Sequence, residues 1–135
     1  MGLLVNIDVP DIEAGIRFYG SGLDFKLQRT LFNRSVAELA LGPSKIYLIE
    51  HPAGTGAIPG LHRARTYERH WTPVHLDLVV EDVDSAVAQA MAAGAVRSGE
   101  QTSHPWGKLA PLSDPFGHGF CLLQFSDIGY EAVAD

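Results

Sequence analysis

His75 and Asp77, in the stretch VHLDLVVEDVD from Val74 to Asp84, stand two residues apart. In an extended chain this spacing puts both side chains on one face, with β-carbons roughly 6–7 Å apart. An imidazole and a carboxylate so placed can hydrogen-bond, divide a proton-transfer step between them, or ligate one divalent ion. Leu76, Leu78 and Val80 take the opposite face and suit a buried side. VNIDVPD near the N-terminus repeats the arrangement, with Asn6 and Asp8 alternating against Val5, Ile7 and Val9. Asparagine is disfavoured inside strands, so Asn6 needs a hydrogen-bonding reason to be there. Each of these groups also has a bland role. His75 would be a hydrogen-bonding side chain held by Asp77 or a backbone carbonyl, and Asp8 a charge at the strand edge paired with a downstream arginine.

Both polar pairs open segments that resemble each other, Leu4 to Phe25 and His75 to Val96, in which Asp11 matches Asp82 and Asn6 matches Asp77 at an offset of 71 residues. After each alternating strand the apolar spacing becomes helical: Ile12, Ile16 and Tyr19 in the first, Val83, Val87, Ala90 and Met91 in the second. Asp11 and Asp82 are N-cap candidates, whose carboxylates can accept from free N–H groups of the first turn. Gly22 and Gly94 stand where the helices should stop. Further strands are expected over 25–30, 35–41 and 45–50, with turns at Asn33-Arg34 and Gly42-Pro43-Ser44. The second half offers 96–99, 107–112 and 119–125, the last after the turn Asp114-Pro115-Phe116-Gly117.

Each half thus reads β-α-β-β-β. The expected organisation is one α+β domain over 1–135: module 1 about 1–50, a Gly-, Pro- and Arg-rich linker about 51–73, module 2 about 74–126 and a tail 127–135. Side by side, two such modules would leave a cleft between their sheets.

The chain has 135 residues, 46% of them hydrophobic, and a net charge of -6 with pI near 5.4. An acidic surface repels phosphates, which argues against nucleic acid or anionic membrane as the partner. The single cysteine, Cys121, forms no internal disulfide, the opening MGLLVNIDVPD reaches Asp8 too soon for a signal peptide, and no apolar run spans a bilayer. A cytoplasmic location is expected. Gly54-Thr55-Gly56 lacks the lysine and context of a phosphate loop, and no CxxC pair or nucleophile elbow is present.

VNIDVPD with the later Phe18-Tyr19, the segment His75 to Asp84, and the turn DPFGHG before the last strand together resemble the vicinal-oxygen-chelate superfamily of glyoxalases, extradiol dioxygenases and fosfomycin- and bleomycin-resistance proteins. The resemblance runs from about Leu4 to Phe125. It implies two βαβββ modules in a cupped, partly open mixed sheet, completed as a homodimer. It also implies metal-ligand positions at the start of each module's first strand and in the middle of its last, here Leu4, His75, Tyr47 and Cys121. Of these only His75 is an ordinary ligand for the family's divalent metals. Leu4 has no donor, Tyr47 is a rare ligand, and a lone thiol suits softer ions.

Two principal readings follow. In the first, the cleft binds a small organic ligand without the complete metal site, with His75 and Asp77 as the reactive pair and Asn6, Asp8, Tyr47, Trp106 and Cys121 as lining residues. In the alternative, a divalent metal held by His75, with Asp77 as second ligand or base, supports a glyoxalase-type lyase or extradiol-type dioxygenase acting on vicinal oxygens. A dimeric interaction domain with a vestigial cleft is the third. Cys121 between Phe120 and Leu122 reads as a wall residue with an inert thiol. Trp106, in His104-Pro105-Trp106-Gly107, would close over a ligand or cover the core edge. Arg63, Arg65, Arg69, His70 and Trp71 in the linker suggest a dimer contact or a lid.

Overall fold

The computed structural model describes residues 1–135, which divide into two compact units, Met1–Glu68 and Arg69–Asp135. Unit 1 contains β1 (Val5–Val9), α1 (Ile12–Arg17), β2 (Lys26–Leu31), β3 (Val36–Leu41) and β4 (Ser44–Glu50), with sheet order β1-β4-β3-β2. Unit 2 contains β5 (Leu76–Val79), α2 (Val83–Ala92), β6 (Val96–Arg97), β7 (Thr102–His104), β8 (Gly107–Ser113) and β9 (Gly119–Phe125), in the order β5-β9-β8-β6 with β7 also on β8. In each unit the last strand pairs parallel with the first and antiparallel with its predecessor. The architecture is α+β, and no helix is long and apolar enough to cross a membrane.

The helices begin where the sequence places them. Asp11 accepts from the Ala14 N–H at 2.7 Å and Asp82 from the Ser85 N–H at 3.0 Å. Each start is also held from the sheet, which the strand pattern does not reveal. Glu50 at the end of β4 accepts from the Ile12 N–H at 2.8 Å, and Gln124 on β9 accepts from the Val83 N–H at 2.9 Å. Both satisfy first-turn donors that have no partner within the helix.

Alternation then assigns the faces. Val9, Ile46, Leu48 and Leu39 fill the helix side of unit 1, where Gly15 lets α1 approach so closely that a β-carbon there would lie 3.0 Å from Leu48 Cδ1. In unit 2, Val83, Val87 and Ala90 bury one stripe of α2, and Leu112, Phe120 and Leu122 are buried on the sheet.

Both helices stop at the expected glycines, and the strands after α2 differ from expectation. Gly22 closes a π-helical turn over Phe18–Gly22, but the left-handed residue that follows is Asp24 at φ 61°, a conformation aspartate tolerates. Gly94 does adopt a positive φ, 117°, after α2. The strand expected over 96–99 stops at Arg97, and His104 belongs to the additional strand β7. Proline explains the break. The Pro111 carbonyl accepts from Ser98 N–H at 3.0 Å, so its nitrogen points to the same edge and has no hydrogen to offer there. The chain loops out between Arg97, paired with Leu112, and Thr102, paired with Leu109.

Most of the expected linker folds onto unit 1. Arg65 Nε donates to Asp8 Oδ2 at 2.8 Å, and its Nη1 donates to Thr55 Oγ1 and the Gly56 carbonyl. Tyr67 donates its hydroxyl hydrogen to the His51 carbonyl. Burial, and then the Asp8 charge, push the Tyr67 phenol above its ordinary range, with Arg65 opposing.

Candidate functional site

β5 and β9 run side by side, with Asp77 opposite Cys121. Paired residues share a sheet face, and here Leu78 and Leu122 take the helix side, so Asp77 and Cys121 project from the face without a helix. His75 precedes β5 and joins them: its Nε2 lies 3.2 Å from Asp77 Oδ1. One ligand atom from each of His75, Asp77 and Cys121 lies within 4.8 Å of the other two.

The three groups are electrically distinct. His75 is 57% exposed, with its Nε2 beside the Asp77 carboxylate. Cys121 is half-buried. Burial pushes its thiol up, and the Asp77 charge and the hydrogen bond that the thiol donates to Asp77 push it further in the same direction. Cys121 is therefore a protonated thiol and not an activated nucleophile. Asp77 is the common acceptor that orients both neighbours.

A guanidinium lies near this group. Arg69 packs on Gly119, where a β-carbon would sit 2.5 Å from Nη2, and Nη1 donates to the His70 carbonyl. Gly119 is two residues before Cys121 on β9, so Arg69 covers the same face. Farther along unit 2, Trp106 stacks on His104 at 4.6 Å between centroids, and Tyr130 touches both Trp106 and Phe125.

The remaining expected site residues belong to unit 1. Asn6 pairs with Tyr47, and Tyr47 with Glu38, on the helix-free face of that sheet. Asp8, on the same face, is held by Arg65. Sequence reading left the facing of Glu38 open. The structure makes it a buried carboxylate hydrogen-bonded to Arg29 at 2.8 Å and Lys45 at 2.9 Å, and these two cations, Lys45 first, lower its pKa from the ordinary carboxylate value. Its signal in the sequence is a lone glutamate between apolar residues in VAELAL.

The donor set can be tested against a metal. Leu4 offers nothing and a tyrosine such as Tyr47 is a rare ligand, so the family quartet is not reproduced by residue type. Imidazole, carboxylate and sulfur from unit 2 form a different, three-membered set. Ligands about 2.0–2.3 Å from a tetrahedral zinc-like ion stand roughly 3.3–3.8 Å from one another, a separation that small rotations of these side chains reach. The set fits a borderline ion and not an oxygen-seeking one such as magnesium.

The sequence matches the glyoxalase-like domain family over residues 4–123. No curated protein matches it. Among solved structures, a glyoxalase/bleomycin resistance protein/dioxygenase family enzyme from Burkholderia phytofirmans aligns with TM-score 0.70 and 23% identity, covering 91% of this chain and 97% of that one. A hypothetical protein from S. aureus aligns with TM-score 0.70 and 23% identity, covering 92% and 96%. The fosfomycin resistance protein FosX from Listeria monocytogenes aligns with TM-score 0.69 and 16% identity, covering 94% and 95%. At such identities the structures speak for the fold alone, and the family match spans most of the chain: the protein belongs to the glyoxalase-like domain family, within the vicinal-oxygen-chelate superfamily.

Proposed function

We propose that the protein binds a small organic molecule on the helix-free face of unit 2, with His75, Asp77 and Cys121 as its polar contacts. The observation that carries this reading is the meeting of three chemically different donors within 4.8 Å on an accessible sheet face. Asp77 fixes the imidazole so that Nδ1 can accept a hydrogen bond, or a proton from a ligand hydroxyl or acidic carbon. Cys121 Sγ offers a polarisable surface beside it. Titrating the isotope-labelled protein with candidate small molecules tests the site directly. Saturable shifts should centre on His75, Asp77 and Cys121 and vanish in His75→Ala. Ligands that bind tightly while leaving these residues unperturbed would overturn the assignment.

The same cluster supports a second reading, a metal-dependent lyase or dioxygenase. A borderline divalent ion held by His75, Asp77 and Cys121 would supply a Lewis acid able to polarise a substrate oxygen. Elemental analysis of protein purified without chelator, repeated on His75→Ala, separates the readings. Stoichiometric metal that disappears with His75 favours the second. Failure to take up zinc, nickel, iron or manganese on reconstitution returns the site to direct ligand contact.

A further inference from the structure

Unit 1 carries on its helix-free face a charged group that the unit 2 site does not use. Asn6, Tyr47, Glu38 and Arg29 form one cross-strand row over β1, β4, β3 and β2. The last member reaches that row through a defect in pairing. Leu27 pairs with Leu39 but Arg29 pairs with Glu38, so Gln28 is an extra residue on β2. In an unbroken register Gln28 would pair with Glu38, and Arg29 with Ala37 on the helix side. The bulge turns a guanidinium across the sheet to meet a carboxylate, a recognised use of such irregularities.

The balance of charge exceeds what structure requires. Glu38 is 3% exposed and one cation would neutralise it, yet it has two, Arg29 and Lys45, which are 64% and 54% exposed. The trio keeps one net positive charge on a protein whose net charge is -6. Donors also remain. Arg29 spends Nε on Glu38, which leaves its two Nη groups, and Lys45 spends one of three ammonium hydrogens. Tyr47, opposite Glu38 in the register, adds a phenol on the same face.

We propose that Arg29 and Lys45, braced by Glu38 and flanked by Tyr47, form a binding subsite for the carboxylate or phosphate group of a small molecule. The free edge of Arg29 gives the planar, two-pronged donor that such oxygens accept, and Lys45 adds a point charge. Glu38 holds both in place before the anion arrives, which lowers the ordering cost of binding. The subsite stands whether or not the unit 2 cluster binds a ligand or a metal, because its residues all belong to unit 1.

The test is an NMR titration of the full chain at low ionic strength with inorganic phosphate and, separately, benzoate. Saturable shifts are expected at Arg29, Glu38, Lys45 and Tyr47, weakening as salt is added. Arg29→Gln and Lys45→Gln should each weaken binding about tenfold, and Arg29→Lys should restore part of the loss. The stronger probe identifies the anion class. Each variant's spectrum outside β2–β4 reports whether it is folded. The proposal is overturned if neither probe gives saturable shifts on this face, or if folded Arg29→Gln and Lys45→Gln bind as the parent does.

Discussion

Two glycines of unit 2 sit against obstacles at similar range, and their replacement by alanine should have opposite consequences. At Gly107 a β-carbon would lie 2.2 Å from the Gln124 carbonyl oxygen and 3.0 Å from Phe125 Cα, against an ordinary contact of 3.4–4 Å, and φ is +152°. The obstacle is the backbone of β9, so relief requires a displacement of more than 1 Å at the Gly107–Phe125 rung. That disturbs the turn holding Trp106 against His104. Strain and overpacking of this kind put the cost of Gly107→Ala at about 3 kcal/mol, a large part of a typical domain's stability. At Gly119 the β-carbon would lie 2.5 Å from Arg69 Nη2, the end of an exposed, flexible side chain. Arg69 swings aside, and Gly119→Ala should cost within about 0.5 kcal/mol. Urea unfolding followed by tryptophan fluorescence measures both. Gly107→Ala below about 1 kcal/mol, or Gly119→Ala above about 2 kcal/mol, would refute the rule that the identity of the obstacle, and not its distance, sets the cost.

Asp77→Asn removes the charge acting on the Cys121 thiol while leaving burial and an acceptor oxygen; alkylation by iodoacetamide without added metal should follow a pH profile shifted to lower pH, and an unchanged profile would mean the Asp77 charge does not control the thiol. The folded-state acidity of Glu38 is raised by Lys45 and Arg29, so its contribution to stability is fully present above the ordinary carboxylate pKa and is lost as pH falls through the depressed folded value. The stability gap between parent and Glu38→Gln, from urea titrations at several pH values, should hold steady near neutrality and close in acid. Phe32, Asn33 and Arg34 occupy three consecutive left-handed positions at φ 50°, 52° and 67°. Because Phe32 is exposed and poorly suited to that region, Phe32→Gly should raise stability by about 0.5–1 kcal/mol, and a loss in thermal melting would contradict this.

Features carried by a strand's own alternation were legible in the sequence. Val5, Ile7 and Val9, like Leu76, Leu78 and Val80, separate two faces without reference to any partner, and Asp11 and Asp82 announce their helices by a local rule. His75 and Asp77 followed from the same parity. What escaped depends on pairing. β7 is exposed and reads Thr-Ser-His, with no apolar rhythm to mark it; only its partner β8 makes it a strand. Glu50 and Gln124 reach helix starts 38 and 41 residues away, which no window of sequence contains. The Gln28 bulge changes register without changing composition, so the facing of Arg29 toward Glu38 could not be read.

The two repeats diverge on one side only, and sheet geometry says why. On the helix side every strand position must fill space against α1 or α2, and both repeats keep aliphatic residues, an aspartate cap and a cap from the last strand. The opposite side has no helix to satisfy, and it mixes polar groups such as Asp77 and Tyr47 with buried positions such as Glu38 and Leu123. The matched pairs Asn6–Tyr47 and Asp77–Cys121 share a location on first and last strands yet no chemistry. The helix side is aliphatic in both repeats, while the polar groups of both repeats gather on the other face. The irregularity at Gln28 works between the two: by leaving Gln28 out of the pairing it sets Arg29, and not Gln28, opposite Glu38.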